Sequence, residues 1–308
     1  HDTGELLFLK SADNSRVDEQ VEVLHFSSAG ASTWKVPQWA VFRTAGRADG
    51  DFVALVFKGT EAPTEWLVDA ACVSREAGGG LKLHAGISAN LHSHIGAVES
   101  AVARSTTDAG ALPLYFSGHS LGGAYAMCAF YMVERSLSQR VAGVIGFGAP
   151  LVTVAGGPPE IVQAASQRFS TYVAGNDIVP RSLFKPNTEM MVDLERRFGR
   201  GRVLFSISNA IPTYAPVGEF RALPGAIQRS PTELLRIRPD APLTSHIDDH
   251  ECRGYARLLD ERALELLPSA TSTPMAPAPS PTEAAVVMSA AAAAAAATAA
   301  LAETEART

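Results

Sequence analysis

The sequence predicts an α/β fold: a mainly parallel central sheet with helices on both faces. Three observations predict it. Short apolar runs alternate with amphipathic segments from residue 1 to about residue 267. One run, Leu114-Tyr115-Phe116, passes through a glycine-rich turn into a small-residue helical pattern. A later run ends in a turn with a carboxylate at its tip, where open parallel sheets place functional groups. In chain order, Val17–Phe26 reads as a helix, and Trp39–Thr44 and Asp51–Phe57 read as strands. Ile87–Ala103 reads as one helix with small residues on its packing face. Leu114–Phe116, Val141–Phe147 and Phe169–Ala174 read as further strands, and Tyr255, Leu258, Leu259 and Leu264 follow a helical period.

Composition bounds the function. A chain of 308 residues, 46% hydrophobic and 19% charged, can bury a large core. Its net charge of −6, with no long basic run, argues against nucleic acid and suits neutral or hydrophobic substrates. Three cysteines, Cys72, Cys128 and Cys252, cannot build a disulfide scaffold, though spacing leaves one bridge open. Cys128 falls in the helix after the glycine-rich turn and is expected to be a buried apolar residue.

The turn itself is Gly118-His119-Ser120-Leu121-Gly122, followed by Gly123. This is G-x-S-x-G between a strand and a helix, the context that gives the motif meaning. Such a turn strains the serine backbone and exposes its hydroxyl at the carboxyl edge of the sheet. The amide of Leu121 then points where an oxyanion would form, aided by the helix N-terminus. The alternative is a glycine-rich turn carrying an idle serine.

A serine nucleophile needs a base, and the base needs an orienting acid. In α/β-hydrolases the chain order is serine, acid, histidine. Asp177 stands at the tip of Gly175-Asn176-Asp177, although such a turn also favours an aspartate that bonds only its own backbone. His246 and His250 are the histidines that follow it. His250, just before a helical pattern, is the preferred base, with His246 in reserve. A metal site built from His246, Asp248, Asp249 and His250 is a third reading, but no other ligand cluster supports it.

Together these segments resemble the class 3 lipases, the fungal-type triacylglycerol lipase family of α/β-hydrolases. Phe57-Lys58-Gly59-Thr60 with Glu65-Trp66-Leu67-Val68-Asp69 resembles that family's F-R-G-T and D-W-x-x-D region. Leu83-His84-Ala85-Gly86 resembles its V-H-x-G element, and Gly146-Phe147-Gly148-Ala149-Pro150 its F-G-x-P strand end. Asn176-Asp177-Ile178-Val179-Pro180 resembles the N-D-x-V-P acid turn. Tyr214-Ala215-Pro216-Val217-Gly218 resembles a Y-x-x-V-G strand, and His250 with Tyr255 the H-x4-Y ending. The likeness covers roughly residues 50–260. It implies that Thr60 and Leu121 donate to an oxyanion hole. It also places residues 61–80 in the lid region, where Trp66 and Leu67 would either flip around Gly78-Gly79-Gly80 or pack as fixed core. Lys58 departs from the family's arginine and brings a point charge without a fork, which weakens any pairing to Asp69.

The remaining features are plainer. Val203–Ile207 adds an apolar run, and Pro212, Pro216, Pro224 and Pro231 suggest loops over the site that tune acyl-chain selectivity. His92 and His94 read as surface residues, and His84 as a structural hydrogen-bonding residue. Residues 1–267 form the expected catalytic domain, 268–283 a Pro/Ala/Ser/Thr-rich linker, and 284–308 an alanine-rich low-complexity tail. Ala284–Ala302 carries no charge, so a membrane anchor is the alternative to a fluctuating helix; alanine is only marginally apolar, and glutamates flank the span. No charged region followed by an apolar one marks a secretory signal in the given chain, and localisation stays open.

The expected activity is a serine carboxylic-ester hydrolase on lipid esters. It would use Ser120, Asp177 and His250, with Thr60 and Leu121 at the oxyanion. It would need no cofactor, nucleic acid or obligate protein partner, and a lipid–water interface would be a transient one. The alternatives are a phospholipase A1 or a monoacylglycerol or short-chain esterase on the same fold. From another class comes a catalytically silent lipase-like binding protein.

Overall fold

The computed structural model describes residues 5–9, 19–27, 37–45, 51–59, 73–107, 112–187, 212–224, 227–237 and 248–265. Nine of its strands form one sheet: β1 (Glu5–Leu9), β2 (Glu19–Phe26), β3 (Trp39–Ala45), β4 (Val53–Phe57), β7 (Leu114–His119), β8 (Val141–Phe147), β9 (Phe169–Ala174), β10 (Glu219–Leu223) and β11 (Ile227–Gln228). They lie side by side in that order. Strands β4, β7, β8, β9 and β10 run parallel, while β1–β3 and β11 add antiparallel edges.

The parallel centre follows from its residues. Val53-Ala54-Leu55-Val56-Phe57 is buried at every position, as a strand covered on both faces must be. Val53, Leu55 and Phe57 enter the main core, whereas Ala54 and Val56 enter a second cluster with Phe42 and Phe52. Strand β8 divides the same way. Val144 faces the main core, and Ile145 and Phe147 face a cluster with Tyr255 and Leu259. The period of two in side-chain direction thus builds two cores from one sheet.

Helices cover both faces. On one lie α1 (Ala85–His92), α2 (Ile95–Thr107), α3 (Leu121–Met132), α4 (Arg135–Ser138) and α5 (Pro159–Ser166), each contributing to the main core. Helix α3 is buried from Leu121 through Phe130, so it has no polar face. On the other face, α7 (Cys252–Glu265) sets Tyr255 and Leu259 against β8 and β9. A short helix, α6 (Pro231–Leu234), packs beside β10, with Ser230 as its N-cap accepting from the Glu233 amide.

The structure corrects two expectations. Residues 19–26, expected to be helical, form strand β2 between β1 and β3. Gln20-Val21-Glu22-Val23 alternates polar and apolar, and that period of two prevails over the helical reading. The single helix expected over 87–103 is broken at Ser93 and His94, where Ser93 Oγ donates to the Asn90 carbonyl at 3.0 Å. Such local side-chain bonds compete with helix propagation.

Gly78, Gly79 and Gly80 form the turn of a hairpin between β5 (Ser74–Gly78) and β6 (Leu81–His84), each at positive φ. Trp66 and Leu67 lie outside the described residues, as do Cys72, Val203–Ile207, the linker and the alanine-rich tail. Among the described residues no helix is long and apolar enough to cross a membrane.

Candidate active site

Ser120 sits between β7 and α3 with φ 57° and ψ −127°, the one non-glycine residue at positive φ among those described. Holding an L-residue there requires surroundings that leave no alternative. Its amide donates to the Phe147 carbonyl at 2.8 Å, and neighbouring glycines let the backbones meet. A Cβ on Gly118 would enter the backbone of Gly122, and one on Gly122 would enter the Phe57 carbonyl oxygen. A Cβ on Gly123 would stand 2.7 Å from Ala149 Cβ. Leu121 is the first residue of α3, so the helix leaves its amide without an acceptor of its own. The end of β4 lies against this turn: a Cβ on Gly59 would stand 2.6 Å from the His119 carbonyl oxygen. Thr60, the next residue, lies outside the described residues.

Asp177 follows β9, fully buried, at the turn where Gly175 adopts φ 29°. Its carboxylate accepts from the Val179 amide at 2.8 Å, from the Tyr255 hydroxyl at 2.6 Å, and from His250 Nδ1 at 2.9 and 3.0 Å. This is the donor set that a buried carboxylate needs. Burial, then the neighbouring carboxylate, hold the Tyr255 hydroxyl well above its ordinary pKa, so it remains a donor. That hydroxyl also accepts from the Ala174 amide at 2.9 Å.

His250 enters just before α7, and its Nε2 lies 2.8 Å from Ser120 Oγ. Serine, histidine and aspartate therefore form one continuous line. Nδ1, facing the carboxylate, carries the proton, and Nε2 presents its lone pair to the hydroxyl. The line fits because of Gly148, at φ 57°. A Cβ there would stand 2.5 Å from Asp177 Oδ2 and 3.1 Å from His250 Nδ1. His246, the reserve base, lies outside the described residues, and among those described no group of His, Cys, Asp and Glu is arranged to hold a metal ion.

Three residues support the site in roles the sequence reading did not give them. His119 Nε2 donates to the His250 carbonyl at 2.8 Å, its ring 4.8 Å from the His250 ring. Burial first, then the proximity of His250, lower its pKa to about 3, so it is a neutral, Nε2-protonated donor. Arg181, buried, gives its guanidinium to the carbonyls of Asp177, Gly175 (2.8 Å) and Leu234 (3.0 Å). Asp249 accepts from the Asn176 amide at 2.6 Å. His119 occupies the variable position of the G-x-S-x-G motif, Arg181 belongs to no pattern, and Asp249 entered only the metal alternative, so no sequence signal marked these roles.

His84 departs from its expected role. It is fully buried and stacks on Tyr214 at 5.7 Å, yet among the described residues neither ring nitrogen has a hydrogen-bond partner. Burial depresses its pKa to about 4. Of the other histidines read as surface residues, His92 is exposed and His94 is half-buried. Cys128 is fully buried in α3, which raises its thiol pKa, whereas Cys252 is half-buried.

Residues 54–186 match the model of the family described as Lipase (class 3). No curated protein sequence matches the chain. Among solved structures, the fold is similar to that of a triacylglycerol lipase described as having a serine-protease triad at its catalytic centre, at 15% identity and a TM-score of 0.51, covering 75% of this chain and 79% of that one. A Penicillium cyclopium MDLA mutant gives 18% identity and a TM-score of 0.49, with 75% and 78% covered. The Rhizomucor miehei lipase–propeptide complex gives 17% identity and a TM-score of 0.49, with 66% of this chain covered but only 57% of that one, so the chain spans less than two thirds of its length. With the parallel sheet and the strand–turn–helix at Ser120, the chain has an α/β-hydrolase fold, and its residues 54–186 are similar to the class 3 lipases.

Proposed function

We propose that this chain is a serine carboxylic-ester hydrolase acting on lipid esters. The observation that carries the reading is the 2.8 Å approach of His250 Nε2 to Ser120 Oγ, with Asp177 on the far nitrogen. His250 takes the hydroxyl proton as Oγ bonds to the ester carbonyl carbon, whose π electrons move onto oxygen. The Leu121 amide and Thr60 receive that oxyanion. Collapse restores the carbonyl and breaks the bond to the alcohol oxygen, which leaves with the proton from Nε2. Water then attacks the acyl-serine by the same route and releases the carboxylic acid. Asp177 holds the tautomer and stabilises the imidazolium.

The lipid-ester part of the reading is supported by the match of residues 54–186 to the model of the family described as Lipase (class 3). The test is hydrolysis of p-nitrophenyl esters from short to long acyl chains, with Ser120→Ala in parallel. The expected result is activity rising with chain length and falling on the order of 10⁶-fold in kcat in the variant. Turnover unchanged in Ser120→Ala would overturn the reading. A short-chain optimum would replace the lipase by an esterase with a restricted pocket.

A further inference from the structure

We propose that Asp249 is a positioning residue for His250, fixing the base-bearing segment to the turn that carries Asp177. The inference rests on the hydrolase reading above. Two neighbouring residues on one segment meet two neighbouring residues on the other. The Asp249 carboxylate accepts from the Asn176 main-chain amide at 2.6 Å, and His250 Nδ1 meets the Asp177 carboxylate at 2.9 Å. One such link is a pivot, about which the imidazole could swing away from Ser120. Two adjacent links remove that rotation and leave Nε2 aimed at Oγ.

The glycine before the turn supports this independently. A Cβ on Gly175 would enter Asp249 Oδ2 and stand 2.8 Å from its Cγ and 3.2 Å from Oδ1. The carboxylate is therefore seated flat on Gly175, in a space that holds no side chain. The turn beneath it is held in turn by Arg181, which donates to the Gly175 carbonyl at 2.8 Å. From the other side, His119 donates to the His250 carbonyl at 2.8 Å. Asp249 thus joins a segment anchored by β7 to a turn anchored by β9. Its bond is charge-assisted and short, the type that holds geometry best.

The experiment compares Asp249→Ala and Asp249→Asn with the wild-type chain, reading ester hydrolysis and hydrogen exchange at the Asn176 amide. Asp249→Ala removes the acceptor. It is expected to lower kcat about 10- to 100-fold with KM within about twofold, because a displaced base costs rate rather than binding. Its Asn176 amide should exchange faster. Asp249→Asn keeps an acceptor oxygen and should recover kcat to within about fivefold, with the amide still protected. A kcat for Asp249→Ala within about twofold of wild type would overturn the inference. So would equal losses in both variants with Asn176 exchange unchanged. Wild-type protein without Ser120-dependent turnover would instead remove the hydrolase reading, and the exchange arm alone would then judge the link.

Discussion

The two halves of the site are held by different forces. The serine half is held by contact: β4, β7, β8 and α3 meet around Ser120 so closely that Cβ atoms on Gly59, Gly118, Gly122 and Gly123 would overlap neighbouring atoms. The acid–base half is held by hydrogen bonds, from Tyr255, the Val179 amide, Arg181, His119 and Asp249. Steric contact rises steeply with displacement, whereas a hydrogen bond removed costs a bounded amount, about 0.5–1.5 kcal/mol for a neutral pair and more for a charged one. Ser120 is therefore set in a frame that tolerates no change, and His250 in one that degrades by steps.

Gly122→Ala should give the largest effect. The added methyl enters the Phe57 carbonyl oxygen, so β4 and α3 must separate. Loss of about 3 kcal/mol or more of stability is expected, with activity undetectable, as read by denaturant unfolding and ester hydrolysis. A stable, active variant would break the steric half of the comparison. Tyr255→Phe tests the other half. It removes the donor to Asp177 and leaves the Ala174 amide without its acceptor. A loss of about 1–3 kcal/mol and roughly tenfold in kcat is expected, with the fold kept. Collapse as complete as that of Gly122→Ala would erase the distinction.

The smallest effect at neutral pH belongs to His84, whose ring has no hydrogen-bond partner among the described residues. Burial depresses its folded pKa to about 4 from an ordinary 6.5, so the unfolded chain binds the proton more readily. The associated stability is complete above pH 6.5 and is lost as pH falls toward 4, on the order of 3 kcal/mol. His119, depressed to about 3, adds to the same slope. His84→Phe should therefore change stability little at pH 7 and flatten the decline below pH 6.5, as read by melting temperature against pH. An unchanged slope would remove His84 from the account.

Local chemistry made much of the molecule legible. Val141–Phe147 and Phe169–Ala174 announce themselves as buried β-branched and aromatic runs, and the structure keeps those boundaries. The glycines around Ser120 are legible because steric exclusion leaves only one residue type, and that choice is written at the position itself. Strand β2 was less legible, since a run of alternating Gln, Val and Glu becomes a strand only when β1 and β3 lie on either side of it. The break at Ser93 was equally local, but two polar residues inside a helical pattern do not say whether they will cap or continue it.

Sequence alone determined the fold class and the glycine-rich elbow, because each rests on short segments whose period or steric demand is local. Tertiary structure alone decided which groups converge on them. His119 and Asp249 act across 131 and 73 residues of chain, and Arg181 ties the Asp177 turn to Leu234, 53 residues on, all through main-chain atoms that every residue carries. A backbone carbonyl or amide has no residue type, so the sequence cannot mark it as a partner. Only the folding of β7, β9 and α7 toward one edge of the sheet brings those side chains to it.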